Sequence, residues 1–199
     1  MIINMRGTSG SGKTTLARHF MELCSSVEPI IPDGQKKPEA YKCIYKGELV
    51  HLLGSYESLC GGCDTVKPTK EQNTQERVCE LIENYSFDGH VLFESLFASH
   101  IYERYASLAR EDIDNWVFFM LDTDFDTCMK HIQERRVKQG RDTELKDSVF
   151  KNAKRTYDTT YRIREKFTTE GIVWENVPME NRFKLFEDLL DFYLEPKQC

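Results

Sequence analysis

Residues 2–15, which read IINMRGTSGSGKTT, decide the fold of this 199-residue chain. The largely apolar residues 2–6 predict a short buried strand, and a glycine-rich loop follows it directly. After Lys13 the apolar side chains recur every three or four positions, beginning with Leu16, so a helix is predicted there. A strand, a glycine loop and a helix in this order predict an α/β fold whose first loop binds a ligand.

The loop carries the complete phosphate-binding pattern G-x-x-x-x-G-K-[S/T], met by Gly7, Gly12, Lys13 and Thr14. Glycines let the backbone turn tightly, so that successive N–H groups point at phosphate oxygens beside the positive end of the helix dipole. The pattern assigns the lysine to the β- and γ-phosphates and the threonine hydroxyl to Mg²⁺, so ATP and Mg²⁺ are the expected cofactors. The nucleotide-binding residues expected in this segment are Gly7, Thr8, Ser9, Gly10, Ser11, Gly12, Lys13, Thr14 and Thr15.

Alternating strand and helix patterns continue to the end of the chain. Further strands are predicted at 27–31, 90–94, 116–121 and 172–174, and helices at 69–85, 98–110, 125–139, 147–167 and 182–193. Residues 41–45 and 49–56 flank a Lys-Gly-Glu turn and predict an inserted β-hairpin. We therefore expect an α/β, three-layer P-loop NTPase fold of the kinase type, with a mostly parallel five-stranded sheet, the hairpin and an arginine-bearing lid. The whole chain, 1–199, is expected to form one domain.

Composition narrows the functional classes. No apolar run is long enough to cross a bilayer, and the N-terminus lacks a signal-peptide pattern, so a cytoplasmic protein with no membrane partner is expected. Seven cysteines, an odd number, favour free thiols over a disulfide framework. The net charge of −6 argues against a general nucleic-acid coat. Basic residues nevertheless concentrate between Lys130 and Lys166, where they form either a local basic face or an ordinary solvated helix face.

Three carboxylates are candidates for the chemistry. Glu94 ends an apolar strand, the position of a Walker-B acid, and is expected either to assist Mg²⁺ through water or to orient the acceptor. Asp33 follows the second predicted strand and is either a base for an acceptor hydroxyl or an ordinary turn residue. Asp64 follows Gly61 and Gly62 and competes as the base or as a contact to the acceptor; the two glycines indicate either close backbone approach or a hinge.

A lid is predicted at residues 134–147, which read ERRVKQGRDTELKD. In small P-loop kinases a lid at this position brings arginines onto the phosphates, where they neutralise charge and exclude water. Arg136 is the expected catalytic arginine, and Arg135 and Arg141 are expected to bind the nucleotide. Arg162 and Arg164 are further options.

One stretch resembles a known family. Residues 52–66, here called the glycine block, read LLGSYESLCGGCDTV and are similar to the G-x-Y…G-G-x-D-T block of phage 5-hydroxymethyluracil DNA kinases. Residues 121–123, Cys128 and residues 134–136 are similar to their lid region, and the likeness covers about residues 2–174. The resemblance implies ATP-dependent phosphorylation of the base hydroxymethyl group in phage DNA, a step in thymine hypermodification, inside the host cytoplasm. It also implies that residues 41–66 hold the acceptor, with Asp64 near the hydroxymethyl group.

Two other functions share the nucleotide-binding residues. A small-molecule kinase acting on a free nucleoside, nucleotide or sugar would differ only in its acceptor pocket, and the acidic net charge favours it. A nucleotide-gated interaction module would have no acceptor, and the predicted lid arginines and strand-end carboxylates argue against it. If DNA is the partner, the base must be flipped into a pocket. Tyr41, Tyr45 and Tyr56 then either stack on that base or pack across the hairpin.

Overall fold

The computed structural model describes residues 1–141 and 145–195. Its strands are Ile2–Arg6 (β1), Ser26–Ile30 (β2), Ala40–Tyr45 (β3), Glu48–Leu53 (β4), His90–Glu94 (β5), Trp116–Asp122 (β6) and Trp174–Pro178 (β7). Its helices are Lys13–Leu23 (α1), Thr74–Ser86 (α2), Leu96–His100 (α3), Glu103–Glu111 (α4), Phe125–Lys138 (α5), Asp147–Glu170 (α6) and Arg182–Leu194 (α7). Short 3₁₀ turns lie at Cys63–Thr65 and Ile113–Asn115.

All seven strands of the described residues form one sheet, in the order β2-β3-β4-β5-β1-β6-β7. Strands β4, β5, β1, β6 and β7 are parallel, whereas β2 and β3 add antiparallel pairs at one edge. The predicted five-stranded sheet with a separate hairpin was therefore wrong in detail. The hairpin belongs to the sheet, and its second strand, β4, takes the place beside β5.

Burial explains why β4 and not β2 joins the parallel core. Val50, Leu52 and Leu53 of β4 are fully buried, as a strand covered on both faces requires. Strand β2 is half-buried to exposed and contains Glu28 and Pro29, and an edge strand tolerates both a charge and a proline.

Helices cover both faces of the sheet and confirm the predicted α/β three-layer class. One core lies under α2, α3, α4 and α6 and includes Phe93, Phe118 and Phe167. The other lies under α1 and α7 and includes Phe20 and Phe186. Within the described residues no helix is both long and apolar enough to cross a bilayer.

The start of α2 differs from the prediction. Asn73 caps this helix by accepting the N–H of Glu76 at 3.1 Å, while the Glu76 carboxylate accepts the N–H of Asn73 at 2.8 Å. This reciprocal pair begins the helix at Thr74, and the Thr69 hydroxyl closes a separate turn before it.

Two further predictions differ in their bounds. The predicted helix 98–110 is two helices, α3 and α4, and the predicted last strand 172–174 lies at Trp174–Pro178. The carboxyl ends of β4, β5, β1 and β6 meet at one edge of the sheet, where ligands bind in open α/β sheets.

Candidate active site

The glycine loop between β1 and α1 forms the floor of the site. Gly10 and Gly12 have φ of +83° and +99°, which side-chain-bearing residues rarely adopt. A Cβ on Gly10 would lie 2.3 Å from the carbonyl oxygen of Cys128 in α5, so the loop packs closely against that helix. The backbone conformation requires glycine at both positions, and at Gly10 the lack of space requires it as well.

The Lys13 side chain folds back over its own loop. Its ammonium group donates to the carbonyl oxygens of Gly7 at 2.7 Å and Thr8 at 3.1 Å. Burial lowers the pKa of Lys13, and the nearby carboxylates of Glu94 and Asp64 oppose that shift. The cation is thus held inside the loop, beside the position predicted for phosphates.

Two hydroxyl groups of the loop are left without partners. The side-chain oxygens of Thr8 and Ser11 are buried, and neither makes a hydrogen bond to another described residue. Leaving a buried hydroxyl unsatisfied costs roughly 1–3 kcal/mol. Neither residue lines the cavity described below, so these two donors lie inside the loop, and Lys13 is the buried cation of the loop that faces the cavity.

Thr14 and Glu94 meet at the start of α1. The Thr14 hydroxyl donates to Glu94 Oε1 at 2.7 Å. Glu94 is 2% exposed, and burial raises its pKa against the opposing effects of Lys13 and Thr14. In the described part of the chain no group of three or more His, Cys, Asp or Glu residues could hold a metal. A hydroxyl and one carboxylate instead fit Mg²⁺, which prefers oxygen ligands and keeps phosphates and waters as the rest.

The glycine block packs directly on this pair. Gly62 has φ of +86°, and a Cβ there would lie 2.6 Å from Glu94 Oε1. A Cβ on Gly61 would lie 2.8 Å from the carbonyl oxygen of Ser55 and 3.2 Å from Thr14 Cγ2. The two adjacent glycines therefore mark close backbone approach.

Asp64 is fixed at the amino end of α3. Its Oδ1 accepts the Ser95 hydroxyl at 2.7 Å, and its Oδ2 accepts the N–H of Leu96 at 2.8 Å. Ser95 and Leu96 directly follow Glu94, so strand β5 and the glycine block hold the two carboxylates next to each other along one wall.

A cavity of about 520 Å³ opens above the loop. Its walls are the glycine block, α5 and the start of α7. The predicted site residues that line it are Ser9, Gly10, Gly12, Lys13, Thr14, Thr15, Asp64, Glu94 and Arg135. Gly7, Thr8 and Ser11 belong to the same loop but are not part of the lining.

Asp33 is not brought to the cavity. It is exposed in the connection from β2 to β3. Two strands, β3 and β4, separate β2 from β5, which is roughly 14 Å at about 4.8 Å per strand. The order of the strands in the sheet therefore keeps Asp33 away from the cavity.

The predicted lid is only partly described, because residues 142–144 lie outside the described residues. Its first part is the last turn of α5, from which Arg135 donates to the Ser9 hydroxyl at 3.1 Å. Arg136 and Arg141 do not line the cavity. Arg164, on α6, instead lies 3.5 Å from the carboxylate of Asp122.

Sequence reasoning missed Arg182. This residue is 7% exposed, and its guanidinium donates to the carbonyl oxygen of Ser11 at 2.6 Å and to the Thr123 hydroxyl at 2.6 Å. Burial lowers its pKa. It lines the cavity and braces the loop from α7. No local pattern marks this role, since Thr123 and Ser11 are 59 and 171 residues away in the sequence.

Two other contacts were also missed. His131 Nδ1 lies 2.8 Å from the carbonyl oxygen of Gly10. Arg18 donates to the carbonyl oxygens of Tyr56 and Ser58 and so ties the glycine block to α1. In the sequence, the only indication of the Arg18 contact is that Arg18 follows Thr14 by one helical turn, on the same face of α1.

The hairpin tyrosines pack rather than stack on a ligand. Tyr41, Tyr45 and Tyr56 are 3–6% exposed. Tyr41 accepts the N–H of Tyr56 at 3.3 Å, and Tyr45 donates to Asp191 at 2.8 Å. Of the two interpretations, cross-strand packing is the one that the structure supports.

Comparison with known proteins relates this architecture to kinases. A family model described as an AAA domain matches residues 3–152. A protein of Pseudomonas phage PaMx11 named 5-hmdU DNA kinase is 33% identical over 193 residues, which cover 96% of this chain and 97% of that protein. A protein of the same name from Pseudomonas phage M6 is 29% identical over 186 residues, covering 92% and 93%.

Among solved structures, a gluconokinase from Sinorhizobium meliloti 1021 is similar with a TM-score of 0.52. The match covers 97% of this chain and 93% of the gluconokinase, at 13% sequence identity. At this identity the likeness concerns the fold alone, and it agrees with the kinase-type P-loop class.

Proposed function

Because the chain belongs to the family of P-loop kinases that includes these 5-hmdU DNA kinases, it is an ATP-dependent phosphotransferase, and we propose that it phosphorylates the hydroxymethyl group of 5-hydroxymethyluracil in DNA. The observation that carries the proposal is the packing of the glycine block. Gly61 and Gly62 lie against Thr14 and Glu94, and the same block supplies Asp64 to the cavity wall. In this proposal the step belongs to thymine hypermodification in phage DNA, inside the host cell.

The nucleotide side uses the glycine loop. Its N–H groups and the Lys13 ammonium would hold the phosphates. Thr14 and Glu94 would hold Mg²⁺, which neutralises charge on the β- and γ-phosphates when bound. Arg135, already at Ser9, is the lid arginine closest to this role.

The acceptor side uses Asp64. The hydroxymethyl oxygen attacks the γ-phosphorus and forms an O–P bond, while the bond to the β–γ bridging oxygen breaks and ADP leaves with the electron pair. The hydroxyl proton passes to the Asp64 carboxylate. Asp64 is preferred over Asp33 as the base because only Asp64 lines the cavity. Catalysis by Arg136 and nucleotide binding by Arg141 stay predictions.

The acidic net charge favours a second candidate, a kinase of a free nucleoside, nucleotide or sugar. It would use the same nucleotide side and the same base. The two candidates differ only in the size of the acceptor, so an acceptor comparison separates them.

The test is transfer of label from γ-labelled ATP to three acceptors side by side: duplex DNA with 5-hydroxymethyluracil, unmodified DNA and the free 5-hydroxymethyl nucleoside. Label on the modified DNA alone is the expected result. Label on the nucleoside alone, or on no acceptor, overturns the DNA-kinase proposal. Lys13→Ala is the control for contaminating kinases, since it removes the phosphate-binding cation and should abolish transfer.

A further inference from the structure

An exposed row of cations runs along helix α6. Lys151, Arg155, Arg162 and Lys166 are all exposed. At about 100° per residue they fall within about 60° of one another, so they share one face of the helix. We call these four residues the cationic stripe. At about 1.5 Å per residue it is roughly 22 Å long.

None of the four stripe cations forms a salt bridge within the described residues, although exposed Asp158 lies close to the same face and Lys166 acts on the nearby carboxylate of Glu170. Two other cations of α6 have carboxylate partners, Lys154 with Asp158 at 2.9 Å and Arg164 with Asp122 at 3.5 Å. In the described part of the chain no carboxylate lies within 4 Å of a stripe cation. The stripe is therefore an exposed surface with four cations and no salt bridge of its own, on a protein whose net charge is −6.

The first half of α6 stands above the edge of the sheet that holds the cavity. Tyr161 donates to Asp122, the last residue of β6. Further toward the amino end, Tyr157 and Phe150 pack on Phe125, the first residue of α5, beyond the end of β6. Lys151 and Arg155 belong to this projecting half.

Helix α6 also lies on the acceptor side of the site. Helix α6 packs against α3, whose first residue, Leu96, lines the cavity beside Asp64. At the far end of the stripe the Lys166 ammonium lies 4.8 Å from the ring centroid of Tyr102, just beyond α3. Helix α6 therefore neighbours the element that begins at the proposed acceptor wall, and the stripe lies on the solvent-exposed face of α6.

We propose that the cationic stripe binds the phosphate backbone of the DNA that carries the acceptor base. This inference rests on the proposed function, and it explains how an acidic chain engages a polyanion. A length of roughly 22 Å spans about six or seven base steps at about 3.4 Å each. Exposed lysines and arginines that form no salt bridge bind phosphates without reading sequence, so the stripe would hold and orient the duplex while the cavity receives the base.

The test is binding of a fluorescent duplex with 5-hydroxymethyluracil, followed by anisotropy between about 50 and 200 mM salt. Lys151→Ala, Arg155→Ala and Arg162→Ala are combined in one variant, and Lys166 is kept because it packs on Tyr102. Each lost phosphate contact lowers the slope of log K against log salt by about 0.9, so we expect a slope reduced by about 3 and binding weakened about tenfold or more. The urea midpoint of unfolding should stay near that of the wild type, because the three side chains are exposed.

Two matched variants control for charge and folding. Lys36→Ala, Lys37→Ala and Lys42→Ala remove three exposed lysines that form no salt bridge within the described residues; they lie in the β2–β3 connection and on β3, away from α6, and the variant should keep the wild-type slope. The second variant keeps all three charges and should bind the duplex as the wild type does; it combines Lys151→Arg, Arg155→Lys and Arg162→Lys.

Three results would overturn the inference. The stripe variant could keep the wild-type slope of log K against log salt, the lysine control could lose as much affinity as the stripe variant, or the wild-type protein could bind no DNA. Binding is measured without transfer. If the wild-type protein binds the duplex through the stripe but transfers no label to it, the proposed acceptor is refuted, whereas the proposed binding surface stands.

Discussion

Replacing Gly62 with alanine tests whether the site depends on the close approach of the glycine block to Glu94. Gly62 has φ of +86° and ψ of −169°, a region that is nearly exclusive to glycine. A Cβ there would lie 2.5 Å from the carbonyl oxygen of Glu94 and 2.6 Å from its Oε1, against about 3.4 Å for an ordinary contact. The strand end or the block must therefore move by about 0.9 Å.

The magnitude follows from the conformation and the displacement. Holding alanine in this backbone region costs roughly 1–3 kcal/mol, and the contact with Glu94 adds to it, so we expect Gly62→Ala to lower the free energy of unfolding by about 3 kcal/mol or more. A misplacement of about 1 Å costs about 100-fold in rate, so kcat should fall by about that factor.

The assays are urea unfolding and label transfer at saturating ATP. Gly34→Ala is the matched control, because Gly34 also has a positive φ, +75°, but no atom lies within 4 Å of the position that a Cβ would take there. It should lose only about 1 kcal/mol and keep its activity. If Gly62→Ala matches Gly34→Ala in stability and retains wild-type kcat, the close packing does not support the site.

Three further predictions test single groups. Asp64→Asn should lower kcat about 10²- to 10⁴-fold in the transfer assay, whereas Asp33→Asn should leave it near wild type; equal rates for both variants would remove Asp64 as the base. Arg182→Ala leaves buried acceptors of the glycine loop unpaired, so it should lower the free energy of unfolding in urea by about 2–3 kcal/mol. The same change should weaken ATP binding measured by calorimetry, and an unchanged ATP affinity would refute the bracing role of Arg182. Burial lowers the pKa of both His51 and His90 below the usual 6.5, so below that pH the unfolded chain binds more protons than the folded protein. In urea unfolding, the free energy of unfolding should therefore fall as the pH drops from about 7 through 6.5 toward the lowered pKa values. A flat pH profile that His51→Gln does not change would contradict this.

Local chemistry made the nucleotide side predictable. The strand, the glycine loop and the helix are consecutive in residues 2–23, so their sequence alone determines the tight turn, the lysine and the hydroxyl. The position of Glu94 beside the loop was predicted in the same way, because an apolar run ending in an acid marks a strand end at the ligand edge. For the glycine block the sequence predicted either close approach of the backbone or a hinge, because adjacent glycines commonly indicate one of these two roles.

The acceptor side depended on how distant segments pair. Periodicity identifies a strand but not its neighbours, so only the sheet order showed that β4 lies beside β5 and that Asp64, rather than Asp33, reaches the cavity. Arg182 braces a loop 171 residues away, and no local pattern encodes such a contact. By itself the sequence determined that a nucleotide-binding loop is present, because that chemistry is local. The tertiary structure decided which carboxylate faces it, because long-range burial sets the order of the strands.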